Sequence, residues 1–408
     1  MNKKGYMGII ATIIVCFLVG FNCFKSSGNT QKKESNNSEH KTTNKTTTSA
    51  KVEDKTNKSE AKLTFIGDLM FEQPFYDATP DIEKSNYFEL VNPYFKDDDI
   101  TVGNMEVVIG NDKLQTSGTG YSFCAPQTVG KLVAKQSIEV LSTANNHAYD
   151  RSVDGVNSTI DFFKNNTNIM TVGTFKQERD REKVQSLEVN GIKIGFLSYT
   201  LGTNSKMKIE NRFRVNLYRD QNTKLIDDAM KAKIKADVER TKKATDVTIV
   251  LIHWGTEFTN TPNSEQETMA NYLNSLGVDI VVGNHAHAIQ PIKYIGKEKK
   301  TLVYYALGNF SSADEDIERT GEKFDNAYQF GLLSTLMITK EDSKISIGNI
   351  TTEPIINYYD KNMKNFKLIP FSKYTDDLEK SHYRYNSNFT KSFVENMYKE
   401  VINEEFRK

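Results

Sequence analysis

Six side chains able to bind a cation stand where apolar runs of the chain stop. His285 and His287 sit one residue apart in Gly283-Asn284-His285-Ala286-His287-Ala288-Ile289-Gln290, after the run 279–282, which reads as a buried strand. Imidazoles alternating at a frayed strand end can converge on one ion. His147 and His253 occupy the same kind of place at the ends of two other runs, and Asp68 and Glu106 do likewise. Oxygen and nitrogen donors drawn from separate strands suit a dimetal site, because each ion needs several ligands and one is shared. The chemistry would be activation of water or polarisation of an ester or amide carbonyl.

Each of these residues also has a plainer reading. Asp68 after Gly67 is a common turn aspartate, His147 could be a surface histidine, and His253 beside Trp254 could be a core histidine capped by a carbonyl. The plain reading is weakest for His285 and His287, since burying both would otherwise strand two polar groups. Neighbours add support. Asn104 puts a second polar group two residues before Glu106. In Asn145-Asn146-His147 an amide oxygen can complete a metal shell while the imidazole faces substrate as an acid. Glu257 is expected to orient His253 from behind.

The elements that must position these groups alternate in type. Strands are expected at 62–66, ending in Gly67-Asp68; at 100–102, ending in Gly103-Asn104-Met105-Glu106; and at 138–142, ending in the stretch from Thr143 through His147 and Ala148 to Asp150. Further strands are expected at 169–172, 247–252, 279–282 and 301–307, the last ending at Gly308-Asn309-Phe310. Helices are expected at 87–95, 127–135, 153–164, 223–245 and 264–276. Runs 184–189 and 192–199 flank Asn190-Gly191 and predict a hairpin with a two-residue turn. Residues 200–222 read as a polar loop over a site, 330–338 and 345–350 as antiparallel strands, and the tail from 376 as helical with an aromatic face of Phe389, Phe393, Tyr398 and Phe406. Such alternation implies an α/β fold with a largely parallel sheet covered on both faces, where ligands bind outside the carboxyl ends of the strands.

Lys3 and Lys4 precede an uncharged apolar run at 7–24, closed by Lys25. The pattern predicts an export signal retained as a membrane anchor over residues 1–26, with the body outside the cell. A lipid anchor on Cys23 is less favoured, since Asn22 stands where a small residue is expected. Residues 27–60 are polar and charged and read as a disordered linker, 61–355 as the main domain and 356–408 as a C-terminal extension whose helix packs on it. The 53 basic and 53 acidic residues cancel, so no overall field attracts nucleic acid, and an anionic substrate must be met locally. Cys16 and Cys23 lie in the apolar run and Cys124 stands alone in the body, which excludes a disulfide framework.

Gly67-Asp68, Asn104-Met105-Glu106, Ala144-Asn145-Asn146-His147, His253-Trp254-Gly255-Thr256-Glu257, the Gly283 to Gln290 stretch and Leu307-Gly308-Asn309-Phe310 together resemble the signature set of the CapA-type poly-γ-glutamate capsule synthesis proteins, the PGA_cap domain. The resemblance runs over residues 62–310 in the family's order. That family is in turn similar to calcineurin-like dimetal phosphoesterases, which implies a four-layer α/β sandwich. It further implies Asp68, Glu106, Asn146, His253, His285 and His287 as ligands of one or two Mn, Fe or Zn ions, with Glu106 bridging and His147 protonating a leaving oxygen. Asn104, Asn145, Asp150, Trp254, Glu257 and Asn309 would support them. The phosphoesterase pattern carries a histidine where this chain has Met70 and an aspartate where it has Glu106, so one metal position is expected to be weakened. The implied setting is a membrane-anchored protein at the cell surface, working on poly-γ-glutamate or another anionic polymer beside capsule export proteins. An exported metal-dependent hydrolase of the phosphoesterase type with another substrate is the alternative.

Overall fold

The computed structural model describes residues 58–120, 122–313 and 321–408, so the expected anchor at 1–26 and nearly all of the expected linker lie outside the described residues. The order begins β1 (Lys58–Leu69), α1 (Gln73–Ala78), α2 (Asn92–Lys96), β2 (Ile100–Met105), β3 (Val108–Ile109), β4 (Cys124–Ala125), α3 (Gln127–Ala134), β5 (Val140–Ser142), α4 (Ser152–Asn166) and β6 (Met170–Val172). It continues with β7 (Gln185–Val189), β8 (Ile192–Thr200), α5 (Asp228–Ala244), β9 (Val247–His253), α6 (Ser264–Ser275), β10 (Ile280–Asn284), β11 (Ile292–Ile295), β12 (Thr301–Tyr304) and β13 (Asn309–Ser311). Then come α7 (Glu322–Ala327), β14 (Phe330–Glu341), β15 (Lys344–Tyr358), β16 (Lys367–Pro370), α8 (Asp376–Ser381) and α9 (Lys391–Val401). The first strand thus starts inside the stretch read as linker, and a domain boundary at 355 would cut β15. Among the described residues no helix is long and apolar enough to cross a membrane.

Apart from the small parallel pair β3-β4, the strands form two mixed sheets, not the one largely parallel sheet expected from the alternation. One runs β16-β15-β14-β1-β2-β5-β6, with β13 also on β1; the other runs β11-β12-β10-β9-β8-β7. Alternate side chains point to opposite faces, which splits the apolar residues of each sheet between two cores. Leu63, Phe65, Val102 and Val140 of the first sheet meet Ile194, Phe196, Ile249, Val282 and Leu302 of the second, filling the space between the sheets. Behind the first sheet, Leu132 and Val133 of α3 and Phe162 and Phe163 of α4 pack with Ile66 and Leu141. Behind the second, Ile234 and Val238 of α5 and Met269 and Leu273 of α6 pack with Val250, Ile252 and Val281. Helices, sheet, sheet, helices make the four-layer α/β sandwich.

Local chemistry explains where expectation and structure agree or part. Asn190 and Gly191 both take positive φ, 51° and 77°, the signature of the turn that joins β7 to β8. Residues 87–95 do not form one helix: α2 begins only at Asn92, with Pro93 in its first turn, where the missing N–H breaks no helical hydrogen bond. Asp227 accepts the Met230 N–H and starts α5 later than residue 223. A strand over 301–307 stops at Tyr304, and Gly308, at φ 70°, carries the chain across to the first sheet, where Asn309 lies beside Asp68.

The C-terminal segment packs Val394, Met397, Tyr398 and Val401 of α9 into the central core. Near it His382 is fully buried, donating from Nε2 to the Asn357 carbonyl at 3.0 Å and accepting the Arg384 N–H at Nδ1, also at 3.0 Å. Burial holds its pKa down to about 4, with the Asn357 bond opposing and the Arg384 charge assisting. The unfolded chain therefore takes up this proton first, and stability contributed here is complete above pH 6.5 and lost as pH falls towards 4. About 3 kcal/mol should disappear over that window, and urea titrations should show a shallower acid slope for His382→Gln than for wild type.

Candidate metal centre

The parallel strands β1, β2 and β5 of one sheet and β9 and β10 of the other end at the same rim, and the polar residues follow from that. Asp68 lies near the end of β1, Glu106 just past β2, Asn146 and His147 beyond β5, His253 at the end of β9, and His285 and His287 beyond β10. All are buried. The paired histidines are not alternating strand residues as expected: β10 ends at Asn284, and His285 and His287 take φ of 95° and 50° in the turn after it. Left-handed backbone at two non-glycine residues costs about 1–3 kcal/mol each, and strain of this kind gathers at functional sites.

Asn104 sits at the middle of the cluster, its Nδ2 donating to Asp68 Oδ1 at 2.8 Å and reaching Glu106 Oε2 and His253 Nδ1 at 3.3 Å each. His253 Nε2 lies 3.0 Å from Asn146 Oδ1 and 3.1 Å from Glu106 Oε1. His287 donates from Nδ1 to Asn309 Oδ1 at 2.8 Å, has Asp68 Oδ2 at 3.5 Å, and turns Nε2 towards Glu106 Oε1 at 3.8 Å. The His285 backbone N–H reaches Asp68 Oδ2 at 3.2 Å, while its ring stands 4.6 Å from that of His253. Asn145 braces the loop instead, donating to the Met105 carbonyl at 2.8 Å.

Among the buried atoms with no hydrogen bond are two of the expected ligand atoms, Glu106 Oε1 and His285 Nδ1, although leaving a buried polar atom unpaired costs about 1–3 kcal/mol. A cation would satisfy both. Glu106, His285 and His287 form one group that could hold a metal ion and Asp68, Glu106 and His253 a second, each with donor atoms within 4.8 Å of one another. Ligands about 2.1 Å from one ion at right angles stand about 3 Å apart, which matches the separations around His253 Nε2. Glu106 is common to both groups. The nitrogen and oxygen donors of the cluster fit Mn, Fe or Zn. Met70, at the place of the phosphoesterase histidine, is buried in the outer core and gives the site no donor.

Burial and the Asp68 charge push the Glu106 carboxyl well above its usual range. Burial alone would raise Asp68 too, but the His287 and His253 imidazoles hold it below its usual value. Burial pushes His253 down to about 3 and His285 well down, the neighbouring histidines adding to both. His287 goes up, because Asp68, Glu257 and Asn309 outweigh its burial. Without a counter-charge the cluster thus favours a protonated Glu106 and neutral His253 and His285. Neutral imidazoles are ready ligands, and a divalent ion would reverse the shift on Glu106.

His147 stands at the edge of the cluster. Its Nδ1–H donates to Asp150 Oδ2 at 2.7 Å, Asp150 Oδ2 also accepts the Phe123 N–H at 2.6 Å, and the Phe123 ring meets the imidazole edge-on at 4.7 Å. Nε2 is left facing Asn204 Nδ2 at 3.4 Å. Asn204, in the loop expected over the site, carries no sequence signal of its own; nor does Tyr328, whose ring lies 5.5 Å from that of His287.

One expected support, Trp254, lies elsewhere, and another, Glu257, faces a different histidine from the one expected. Trp254 points behind the second sheet, donating to the Tyr305 carbonyl at 2.8 Å and stacking on that ring, because consecutive strand residues face opposite ways. Glu257 does not orient His253; it is 41% exposed and its Oε1 lies 4.0 Å from His285 Nδ1. Cys124 is a buried packing residue whose thiol burial pushes up.

The model of the bacterial capsule synthesis protein family PGA_cap matches residues 62–314. The PGA biosynthesis protein CapA of Bacillus subtilis (strain 168) is 29% identical over 251 residues, 60% of this chain and 62% of that protein, so the chain spans less than two thirds of that relative. The capsule biosynthesis protein CapA of Bacillus anthracis is 26% identical over 307 residues, 74% of this chain and 71% of that one. Among solved structures, a hypothetical protein from Thermus thermophilus is similar at a TM-score of 0.42 and 16% identity, over 72% of this chain and 100% of that chain. A novel phosphatase from Mycoplasma pneumoniae is similar at 0.44 and 13%, over 73% and 94%.

Proposed function

The chain belongs to the bacterial capsule synthesis protein family PGA_cap, and from that membership we propose that it serves the synthesis or export of poly-γ-glutamate at the outer face of the cell membrane, through a divalent-metal centre. The observation that carries the metal is Glu106 Oε1, buried and without a hydrogen bond, with His253 Nε2 at 3.1 Å and His287 Nε2 at 3.8 Å converging on it. Export and anchoring rest on Lys3, Lys4 and the apolar run 7–24. The polymer and the neighbouring capsule membrane proteins rest on what the two CapA relatives are named for.

Asp68, Glu106, Asn146, His253, His285 and His287 would hold the ion or ions. A divalent ion bound there supplies Lewis acidity towards an ester or amide and makes a nucleophile available near neutral pH. The remaining work falls to this chain's own groups. Asp150 fixes the His147 tautomer by taking its Nδ1–H, which leaves Nε2 to carry a proton to a leaving oxygen. Phe123 holds the imidazole edge-on, and Asn309 keeps the His287 Nε2 turned to the centre by accepting the His287 Nδ1–H at its Oδ1.

The full chain should therefore purify with Mn, Fe or Zn by elemental analysis. Among phosphodiester, phosphomonoester and γ-glutamyl substrates it should turn over at least one, metal-dependently, with His147→Ala losing about 10²–10⁴-fold while keeping its metal. A metal-loaded protein inert on all three classes would instead make the centre a carboxylate-gripping site of an assembly factor. A metal-free protein that cannot be loaded would end the reading.

A further inference from the structure

Beside the centre lies a stretch with a marked basic excess. Residues 201–225 hold six basic residues against two acidic in a chain whose formal net charge is zero. The stretch is anchored to the rim: Leu201 N donates to the His253 carbonyl at 2.9 Å, Asn204 N to the Asn146 carbonyl at 2.8 Å, and Leu217 pairs with Thr200. Met207, Val215, Leu217 and Tyr218 are buried beneath it. Its arginines serve the framework: Arg219 forks onto both Glu265 oxygens at 2.9 and 2.8 Å, Arg214 holds Asn157 and Asn211, and Arg212 lies 3.5 Å from Asp220.

The lysines are different. Lys206 and Lys208 are exposed and in no ion pair among the described residues. They lie two and four residues past Asn204, so at most roughly 7 and 14 Å along the chain from the residue that meets His147 Nε2. Ile209 and Leu225, exposed at 80% and 64%, flank the same strip, and a cavity of about 300 Å³ opens beneath Ile209, with Arg181 and Lys233 in its wall. Unpaired cations, exposed aliphatic side chains and a braced backbone at the mouth of a buried centre make a surface that can hold a long, flexible anion against entropy.

We propose that residues 201–225 are a docking track along which an extended polycarboxylate chain is laid so that one of its linkages reaches the metal centre. The proposal rests on the functional reading above and adds where the polymer binds. Lys206 and Lys208 take successive carboxylates, and Asn204 hands the chain to His147.

The test uses the full chain in detergent and a fluorescently labelled poly-γ-glutamate fragment, with binding read by anisotropy at low and raised salt. K206E/K208E should weaken binding on the order of tenfold at low ionic strength, with the gap closing as salt screens it. K297E/K300E makes the same change of net charge in the exposed β11–β12 turn, at the opposite rim, and should bind like wild type with unchanged metal content in both. Equal losses in the two variants, or none in either, would overturn the track while leaving the functional reading standing. Binding of a polyphosphate chain through these lysines, with no binding of poly-γ-glutamate, would overturn both the track as a polycarboxylate site and the polymer named in that reading.

Discussion

Glu106→Gln is expected to lower metal affinity by more than about a hundredfold and, in the metal-free protein, to leave stability unchanged or raise it. The first half follows from Glu106 being shared by both donor groups, so that its loss weakens either position; even outer partners of metal ligands are worth about 10–100-fold. The second half follows from the carboxyl's environment. It is fully buried, its Oε1 has no partner, and burial with the Asp68 charge raises its pKa well above the ordinary range. In the metal-free protein the folded state therefore binds this proton more tightly than the unfolded state. Stability falls as pH rises through the unfolded value of 4.5, because the unfolded chain releases the proton first. An amide of the same shape carries no charge to bury and removes that slope. Elemental analysis and metal-free melting curves at several pH values read the two halves separately. A metal-free variant that melts well below wild type would show that Glu106 holds the fold together and is not strained in waiting for a cation.

The cluster is legible in the sequence because strand ends announce themselves: an apolar run and then a donor, in most cases after a glycine or asparagine and at His253 directly. Asp68, Glu106, Asn146, His253, His285 and His287 all sit at such ends, and the structure brings them to one rim. What periodicity cannot carry is which strands share a sheet. Leu63 and Ile249 look alike as buried strand residues, yet they belong to sheets that face each other, and the crossing at Gly308, which takes the chain from the end of one sheet to the other, has no periodic signal. Direction is also hidden. Trp254 follows His253 in the chain and would seem to share its site, but the one-residue offset sends it to the opposite face of the sheet. Asn204 and Tyr328 come from a loop and a helix end, where neither period nor motif marks a residue, and tertiary contact alone brings them in.

That crossing is also where the fold should be most brittle. A Cβ built on Gly67 would lie 2.0 Å from the Gly308 carbonyl oxygen and 3.2 Å from that of Leu307, and both obstacles are backbone. Neither can swing aside as a flexible side chain would, because Gly308 O accepts the Asp68 N–H at 3.0 Å and Gly308 already holds φ at 70°. Gly67→Ala should therefore cost about 3 kcal/mol or more and should disturb Asp68 and Asn309, the two neighbours that the crossing aligns. Gly348→Ala is the matched control, since a Cβ there meets nothing within 4 Å, and it should stay within about 0.5 kcal/mol of wild type. Urea midpoints of the two variants, read beside their metal content, separate a general sensitivity to alanine from this one contact. If Gly67→Ala unfolds where wild type does and keeps its metal, β1 and β13 do not touch as described, and Asn309 is not the residue that orients His287.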